Sequence, residues 1–354
     1  ICSRNYNMNF TGYIEGYYGQ LLSWENRLRI LAALKQNHLK TYFYCPKEDQ
    51  FHRTNWRDPY PEEWLSKFKA FVADANSKGI DVIFGISPGI NFEEGNDQKL
   101  LINKILSIAE LGIMNITILF DDLFEDSSGK LHASIVNECI ERCPKINFFA
   151  VPQEYSSSQA SPDIFSSGYL NEFNKALNPQ VPIFWTGSHV VSQNSSLEDV
   201  EAWKRVFQRP LIFWDNYFAN DYCVPKVVLE MYKSMSLESA RNLDGLMINL
   251  TGLIETDLIC LDFLGNFLND NKITTKEYFL NKDFPPEFID ALNLFEFEVS
   301  LKNIDQDISN IEKLLWTWHH PLKQEVYSYL HMLRFVLKEQ NEESITALKK
   351  RFRI

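Results

Sequence analysis

The chain has 354 residues, 45% of them hydrophobic and 14% aromatic, enough apolar material for one large core and a smaller appendage. With 47 Asp and Glu against 35 Lys and Arg, the formal net charge is -12, which repels phosphate backbones and anionic lipid and excludes nucleic acid as an expected partner. No apolar run approaches the roughly 18 to 20 residues that cross a bilayer, so no membrane span is expected.

Short β-branched and aromatic runs alternate with stretches of helical periodicity, the pattern of βα units that build a parallel sheet. In chain order the strands are expected over Phe10 to Gly16, Lys40 to Tyr44, Asp81 to Ile86, Ile116 to Phe120, Ile146 to Val151, Val181 to Trp185, Leu211 to Trp214 and Gly245 to Asn249. The intervening helices are expected over Asn26 to Gln36, Glu62 to Lys78, Gln98 to Leu111, Ile135 to Arg142, Tyr169 to Leu177, Leu197 to Phe207 and Pro225 to Ser234. Eight strands with helices between them predict a (β/α)8 TIM barrel over residues 1–270. Beyond about Asp270 only helical periodicity remains, and residues 271–354 are expected to form a smaller all-helical C-terminal segment. A doubly wound open sheet competes less well, because no Gly-rich phosphate loop joins a strand to a helix.

The six cysteines, Cys2, Cys45, Cys139, Cys143, Cys223 and Cys260, stand singly, with neither metal-ligand spacing nor a disulfide pattern. No metal or cofactor is expected, and a reducing, cytoplasmic setting is favoured over secretion. The opening on Ile1 in place of Met leaves room for a removed leader. Four Asn-x-Ser/Thr sequences begin at Asn9, Asn115, Asn194 and Asn249, and the last is expected inside the pocket, which favours an unglycosylated chain.

Polar residues cluster just after the strand runs, at Glu15-Gly16, Pro46-Lys47, Ser87-Pro88-Gly89, Asp121-Asp122, Gln153-Glu154-Tyr155, Thr186-Gly187, Asp215-Asn216 and Asn249. In barrels of this kind the C-terminal strand ends share one face, so these residues are expected to converge. The strings Gly12-Tyr-Ile-Glu-Gly-Tyr-Tyr-Gly19, Tyr42-Phe-Tyr-Cys-Pro-Lys-Glu-Asp49, Gly85-Ile-Ser-Pro-Gly89, Leu119-Phe-Asp-Asp122, Val151-Pro-Gln-Glu-Tyr155, Phe184-Trp-Thr-Gly187 and Trp214-Asp-Asn-Tyr-Phe-Ala-Asn-Asp221 then read together. In order and spacing this set resembles glycoside hydrolase family 84, the β-N-acetylglucosaminidases, over roughly Phe10 to Asp270. The sequence departs from the family pattern at Gln153, Cys45, Glu48 and Leu21-Leu22, and in Asn249-Leu-Thr where Asn-Pro is usual.

Most glycosidases place two carboxylates on opposite sides of the scissile bond. Neighbouring residues on a strand point to opposite faces, so Asp121 and Asp122 do not fit that plan unless a turn at the strand end brings both into one pocket. Substrate-assisted catalysis removes the difficulty, because a 2-acetamido oxygen then attacks the anomeric carbon. The resemblance implies that Asp121 orients the acetamido group toward an oxazoline intermediate and that Asp122 serves as general acid and then base. It further implies a sugar pocket formed by Gly16, Tyr18, Lys47, Tyr155, Trp214, Asn216, Asp221 and Asn249. Asp122 is expected to start the cycle neutral, its proton affinity raised by the charged neighbour. The implied substrate is a terminal β-linked N-acetylglucosamine on a glycoprotein or glycan. Hyaluronan or another extracellular glycan, or sugar binding without turnover, are the alternatives.

Overall fold

The computed structural model describes residues 8–123, 127–301, 303–339 and 342–354. Eight parallel strands pair in sequence order and the first closes on the last: β1 (Phe10–Glu15), β2 (Thr41–Tyr44), β3 (Asp81–Ile86), β4 (Asn115–Leu119), β5 (Asn147–Val151), β6 (Ile183–Trp185), β7 (Leu211–Asp215) and β8 (Gly245–Asn249). The closing register sets Ile14 of β1 beside Asn249 of β8. This is the (β/α)8 barrel that the strand and helix alternation predicts.

Along each strand alternate residues turn inward. Ile14, Phe43, Cys45, Ile83, Leu119, Phe149, Val151, Phe184, Ile212, Trp214 and Met247 form the buried cluster that fills the barrel. Continuing that period of two past the inward residues of β1, β2, β4, β7 and β8 gives Gly16, Lys47, Asp121, Asn216 and Asn249. The rule that packs the core therefore also delivers five polar or small positions to one end of it.

Contact density divides the chain into two compact units. The first holds residues 1–217 and 233–249, and the second holds 218–232 and 250–354. The sequence puts its change of pattern near Asp270, whereas the contact units part after Asn249.

Around the barrel of the first unit lie α1 (Trp24–Gln36), α2 (Glu62–Ser77), α3 (Asn96–Ala109), α4 (Gly129–Arg142), α5 (Gly168–Ala176), α6 (Leu197–Phe207) and the short α7 (Leu237–Arg241). The bounds of α6 match the expected ones because its start carries a strong signal. The Ser196 hydroxyl accepts from Asp199 N at 3.1 Å while the Asp199 carboxylate accepts from Ser196 N at 2.9 Å. Helix α4 starts six residues earlier than its first expected residue, Ile135, because Ser128 caps it and accepts from Lys130 N at 3.2 Å. β6 is shorter than expected, since Pro182 has no N–H to add to the ladder.

A buried ion pair locks α1 to β1. Arg27 meets the Glu15 carboxylate at 2.7 Å, with side chains 4% and 0% exposed, and Tyr42 donates to the same carboxylate at 2.5 Å. Burial alone would lower the proton affinity of Arg27, but Glu15 more than offsets it and leaves the guanidinium firmly charged. Arg27→Leu strands the Glu15 charge without its partner. Its expected cost is about 3–5 kcal/mol, checked by urea unfolding at neutral pH.

The second unit contains α8 (Ile254–Leu268), α9 (Thr275–Leu280), α10 (Pro286–Asp290), α11 (Ile304–Thr317), α12 (Pro321–Lys338) and α13 (Glu342–Phe352). At the α8 N-terminus the Glu325 carboxylate accepts from Glu255 N at 2.9 Å and Thr256 N at 2.8 Å, where the helix dipole favours an anion. The helix expected over Pro225 to Ser234 does not form. Lys226, Val227, Val228, Leu229 and Glu230 are all buried, which a one-sided surface helix cannot achieve. Backbone N–H groups of that segment donate outside it, Leu229 N to Phe295 O at 2.8 Å and Met231 N to Thr275 Oγ1 at 3.0 Å.

No described helix is long and apolar enough to cross a membrane. The five described half-cystine candidates, Cys45, Cys139, Cys143, Cys223 and Cys260, are free thiols, and Cys2 lies outside the described residues.

Candidate active site

Asp121 follows β4 by two residues and keeps the inward direction of Leu119. Asp122 would point away on the same rule, but its backbone turns into the left-handed region at φ 55. That turn brings both carboxylates to Lys47. The Lys47 ammonium donates to Asp121 Oδ2 and lies 3.3 Å from Asp122 Oδ2. A non-glycine residue in this region costs about 1–2 kcal/mol, so the surrounding contacts must hold it there.

Those contacts come from three other strand ends. Tyr18, after β1, donates to Asp122 Oδ2 at 2.9 Å, and Tyr155, after β5, donates to Asp122 Oδ1 at 2.7 Å. After β2, Arg53 reaches the Asp122 carbonyl at 3.4 Å and the Tyr18 hydroxyl at 2.9 Å. The Asp121 side chain is 9% exposed and that of Asp122 30%. Asp121 Oδ1 is buried and accepts no hydrogen bond among the described residues.

The electrostatics follow from this arrangement. Burial pushes the Asp122 carboxyl up, but the Lys47 ammonium and the Tyr155 and Tyr18 hydroxyls overrule it and hold it below the usual carboxylate range. Burial likewise works against the charge on Lys47, yet Asp121 and Asp122 raise its proton affinity above that of a free lysine. The Tyr155 hydroxyl is pushed up by burial and by Asp122, and so remains a donor. The neutral Asp122 expected at the start of the cycle is therefore not the state that these surroundings favour. A cation within reach of the Asp122 carboxylate, together with two hydroxyl donors, outweighs the effect of burial there.

Four of the other predicted residues, Gly16, Trp214, Asn216 and Asn249, join one another where β7, β8 and β1 end. Gly16 N donates to Asn249 Oδ1 at 3.1 Å, Asn249 Nδ2 to Asn216 Oδ1 at 3.0 Å, and Trp214 Nε1 to the same oxygen at 3.0 Å. Asn216 Nδ2 donates in turn to Val190 O at 2.7 Å. This network makes Asn216 and Asn249 struts between β7, β8 and the β1 loop before either meets a ligand. A Cβ on Gly16 would lie 2.5 Å from Trp214 Cζ2, so only glycine lets the indole pack there. Gly16→Ala is expected to cost about 1–3 kcal/mol by overpacking, read as a lowered melting temperature. Asp221 belongs to the second unit, where it is half-buried.

Three residues of the β2 loop have no role in the sequence motifs, although Asp49 closes one of the strings. Asp49 accepts from Tyr44 at 2.6 Å and Tyr60 at 2.9 Å and caps the turn Gln50–His52. His52 donates from Nε2 to Pro46 O at 2.7 Å, and burial lowers it to about 4, so the imidazole is a neutral brace under Lys47. Arg53 is the third. The matching string ends at Asp49, and nothing local distinguishes Arg53 from a solvated basic residue.

Among the described residues no group of three His, Cys, Asp or Glu is placed to hold a metal ion. A closed parallel barrel with paired acids, tyrosine hydroxyls, a buried lysine and an indole at its C-terminal mouth is the architecture of a carbohydrate-processing barrel. The chain belongs to the β-N-acetylglucosaminidase family, whose profile matches residues 11–284. This bears out the resemblance to glycoside hydrolase family 84 carried by the motifs.

The chain is 28% identical over 310 residues to the protein O-GlcNAcases of Mus musculus and Rattus norvegicus, covering 84% of this chain. It spans only 34% of the length of those relatives. A solved O-GlcNAc hydrolase mutant of Thermobaculum terrenum shares the fold at a TM-score of 0.80 and 23% identity, covering 94% of this chain and 83% of that one. The structure of CpGH84B does so at 0.77 and 22%, covering 98% and 71%.

Proposed function

We propose that the protein hydrolyses terminal β-linked N-acetylglucosamine with retention, using the substrate's own acetamido oxygen as nucleophile, and that the sugar is carried on protein. The observation that carries this reading is the Asp121–Asp122 pair turned into one pocket. Side by side on Lys47, the two acids cannot flank a glycosidic bond from opposite faces. They suit a division of labour instead.

Asp121 Oδ1, a buried acceptor, matches the amide N–H of an acetamido group. Accepting that proton makes the amide oxygen more nucleophilic and steers it toward C1, closing an oxazoline as the aglycone leaves. Asp122 donates a proton to the departing oxygen and then withdraws one from the water that reopens the ring. A ligand amide on Asp121 alters the charge that Lys47 answers to, and desolvation by the bound sugar favours the protonated form of Asp122 that the first step requires. Tyr155 and Tyr18 fix its direction. Lys47 has three N–H donors, and one beyond its two acids is available to a sugar hydroxyl.

Trp214 and Gly16 shape the wall beside the sugar, with Asn216 and Asn249 as ligands through the donor and acceptor capacity left outside their mutual bonds. Release of 4-methylumbelliferone from its N-acetyl-β-glucosaminide is the direct test, followed by comparison of a modified peptide with hyaluronan oligosaccharides. Binding of the sugar with no release at any pH from about 4 to 8 would identify a lectin-like barrel instead.

A further inference from the structure

Arg53 is 8% exposed and sits one residue past the turn Gln50–His52. Its Nη1 donates to the Tyr18 hydroxyl at 2.9 Å, and that hydroxyl donates its own proton to Asp122 Oδ2 at 2.9 Å. Its Nη2 approaches the Asp122 carbonyl at 3.4 Å, and the guanidinium carbon lies 5.4 Å from the centre of the Tyr18 ring. One cation thus grips Asp122 twice, directly at the backbone and through a tyrosine at the carboxylate.

The grip answers a definite need. Asp122 holds φ 55, and a left-handed residue outside glycine persists only where its surroundings over-determine it. In relaxed β geometry the side chain would swing out of the pocket.

We propose that Arg53 is a positioning residue that locks the left-handed turn at Asp122 and, through the Tyr18 hydroxyl, sets where its carboxylate stands for proton transfer. This rests on Asp122 being the proton shuttle. A hydroxyl that accepts from a cation donates more strongly, so Arg53 also favours the anion of Asp122. The groups facing that carboxylate are Lys47 from the β2 loop, Tyr18 from the β1 loop, Tyr155 from the β5 loop and its own neighbour Asp121, with Arg53 behind Tyr18 and at the Asp122 carbonyl. Lys47 is the nearer cation; Arg53 is the one that holds backbone and carboxylate together. A lysine in its place keeps a charge but offers no planar fork to span both acceptors.

The test compares Arg53→Met and Arg53→Lys with the parent chain by two readouts. One is kcat and KM on the umbelliferyl substrate. The other is titration of the carboxyl carbon of Asp122 by NMR, assigned by difference from Asp122→Asn. Arg53→Met is expected to lower kcat by about 10- to 100-fold with KM within about threefold, and to move the Asp122 titration up by roughly one pH unit. Arg53→Lys is expected to restore most of the titration and only part of kcat. If Arg53→Met does not fold, the same split in Arg53→Lys decides the matter.

A folded Arg53→Met protein with the parent titration and kcat overturns the proposal. So does an Arg53→Lys protein that matches the parent in both. Should the parent release no umbelliferone, the hydrolase reading fails by itself, while the titrations still report whether Arg53 positions Asp122.

Discussion

Replacing Asp122 by Asn is expected to lower kcat by about 10²- to 10⁴-fold on substrates with poor leaving groups. The loss should shrink as the leaving group improves, because an aryl oxygen that departs readily needs little help from a proton donor. The amide keeps the shape of the carboxyl and can still meet Tyr18 and Tyr155, so folding should be little changed. KM should move far less than kcat if the group acts chiefly in the transition state. Steady-state kinetics on a series of aryl N-acetylglucosaminides of graded acidity would read this slope. A uniform loss across the series would make Asp122 a binding residue and not the proton donor.

The second large effect is expected from Lys47→Met, which removes the cation from between two acids. At neutral pH the variant should lose about 3–5 kcal/mol of stability, because two partly buried charges are left facing each other. The sign of its pH dependence distinguishes this from lost packing. In the intact protein the Asp122 carboxyl is held below its usual range, so its contribution is present above the unfolded-state value and disappears as pH falls through the lower folded one. Without Lys47, burial and repulsion raise the carboxyl affinity, and the variant is most stable in acid and weakens as pH rises. The gap between the two proteins should therefore narrow as pH drops from 7 toward about 4. Urea midpoints at the two pH values measure it, and a gap that does not change would mean that packing alone is lost.

Much of the site was legible because one rule serves both core and chemistry. The period of two that buries Leu119, Phe43, Ile212 and Met247 carries Asp121, Lys47, Asn216 and Asn249 to the same end of the barrel, and strand alternation reads directly from sequence. The strong capping box at Ser196 fixed the start of α6 in the same local way.

What was not legible depends on distant contacts. The left-handed turn at Asp122 leaves no pattern, since Asp tolerates that conformation without requiring it. The resemblance implies a sugar contact for Lys47 but not its ion pairs with Asp121 and Asp122, which join segments separated by 74 residues or more. Arg53 meets Tyr18 and Asp122 across 35 and 69 residues. The stretch from Pro225 to Ser234 has helical periodicity, but the unbroken burial of Lys226 to Glu230 and hydrogen bonds to Phe295 and Thr275 override it. At the departures from the family pattern, Cys45 joins the inward core cluster, and Gln153 Oε1 accepts from Ser127 N at 3.3 Å.

The claim that the substrate supplies the nucleophile is tested most directly by changing that nucleophile alone. Successive fluorination of the N-acetyl methyl group withdraws electrons from the amide oxygen while altering its size little. If that oxygen attacks C1, kcat/KM for umbelliferyl glycosides should fall steadily with each fluorine, by on the order of 10²-fold or more for the trifluoroacetyl compound, about 2.7 kcal/mol of barrier. A rate that does not respond to fluorine would show that a protein group or water attacks C1, and would contradict the account.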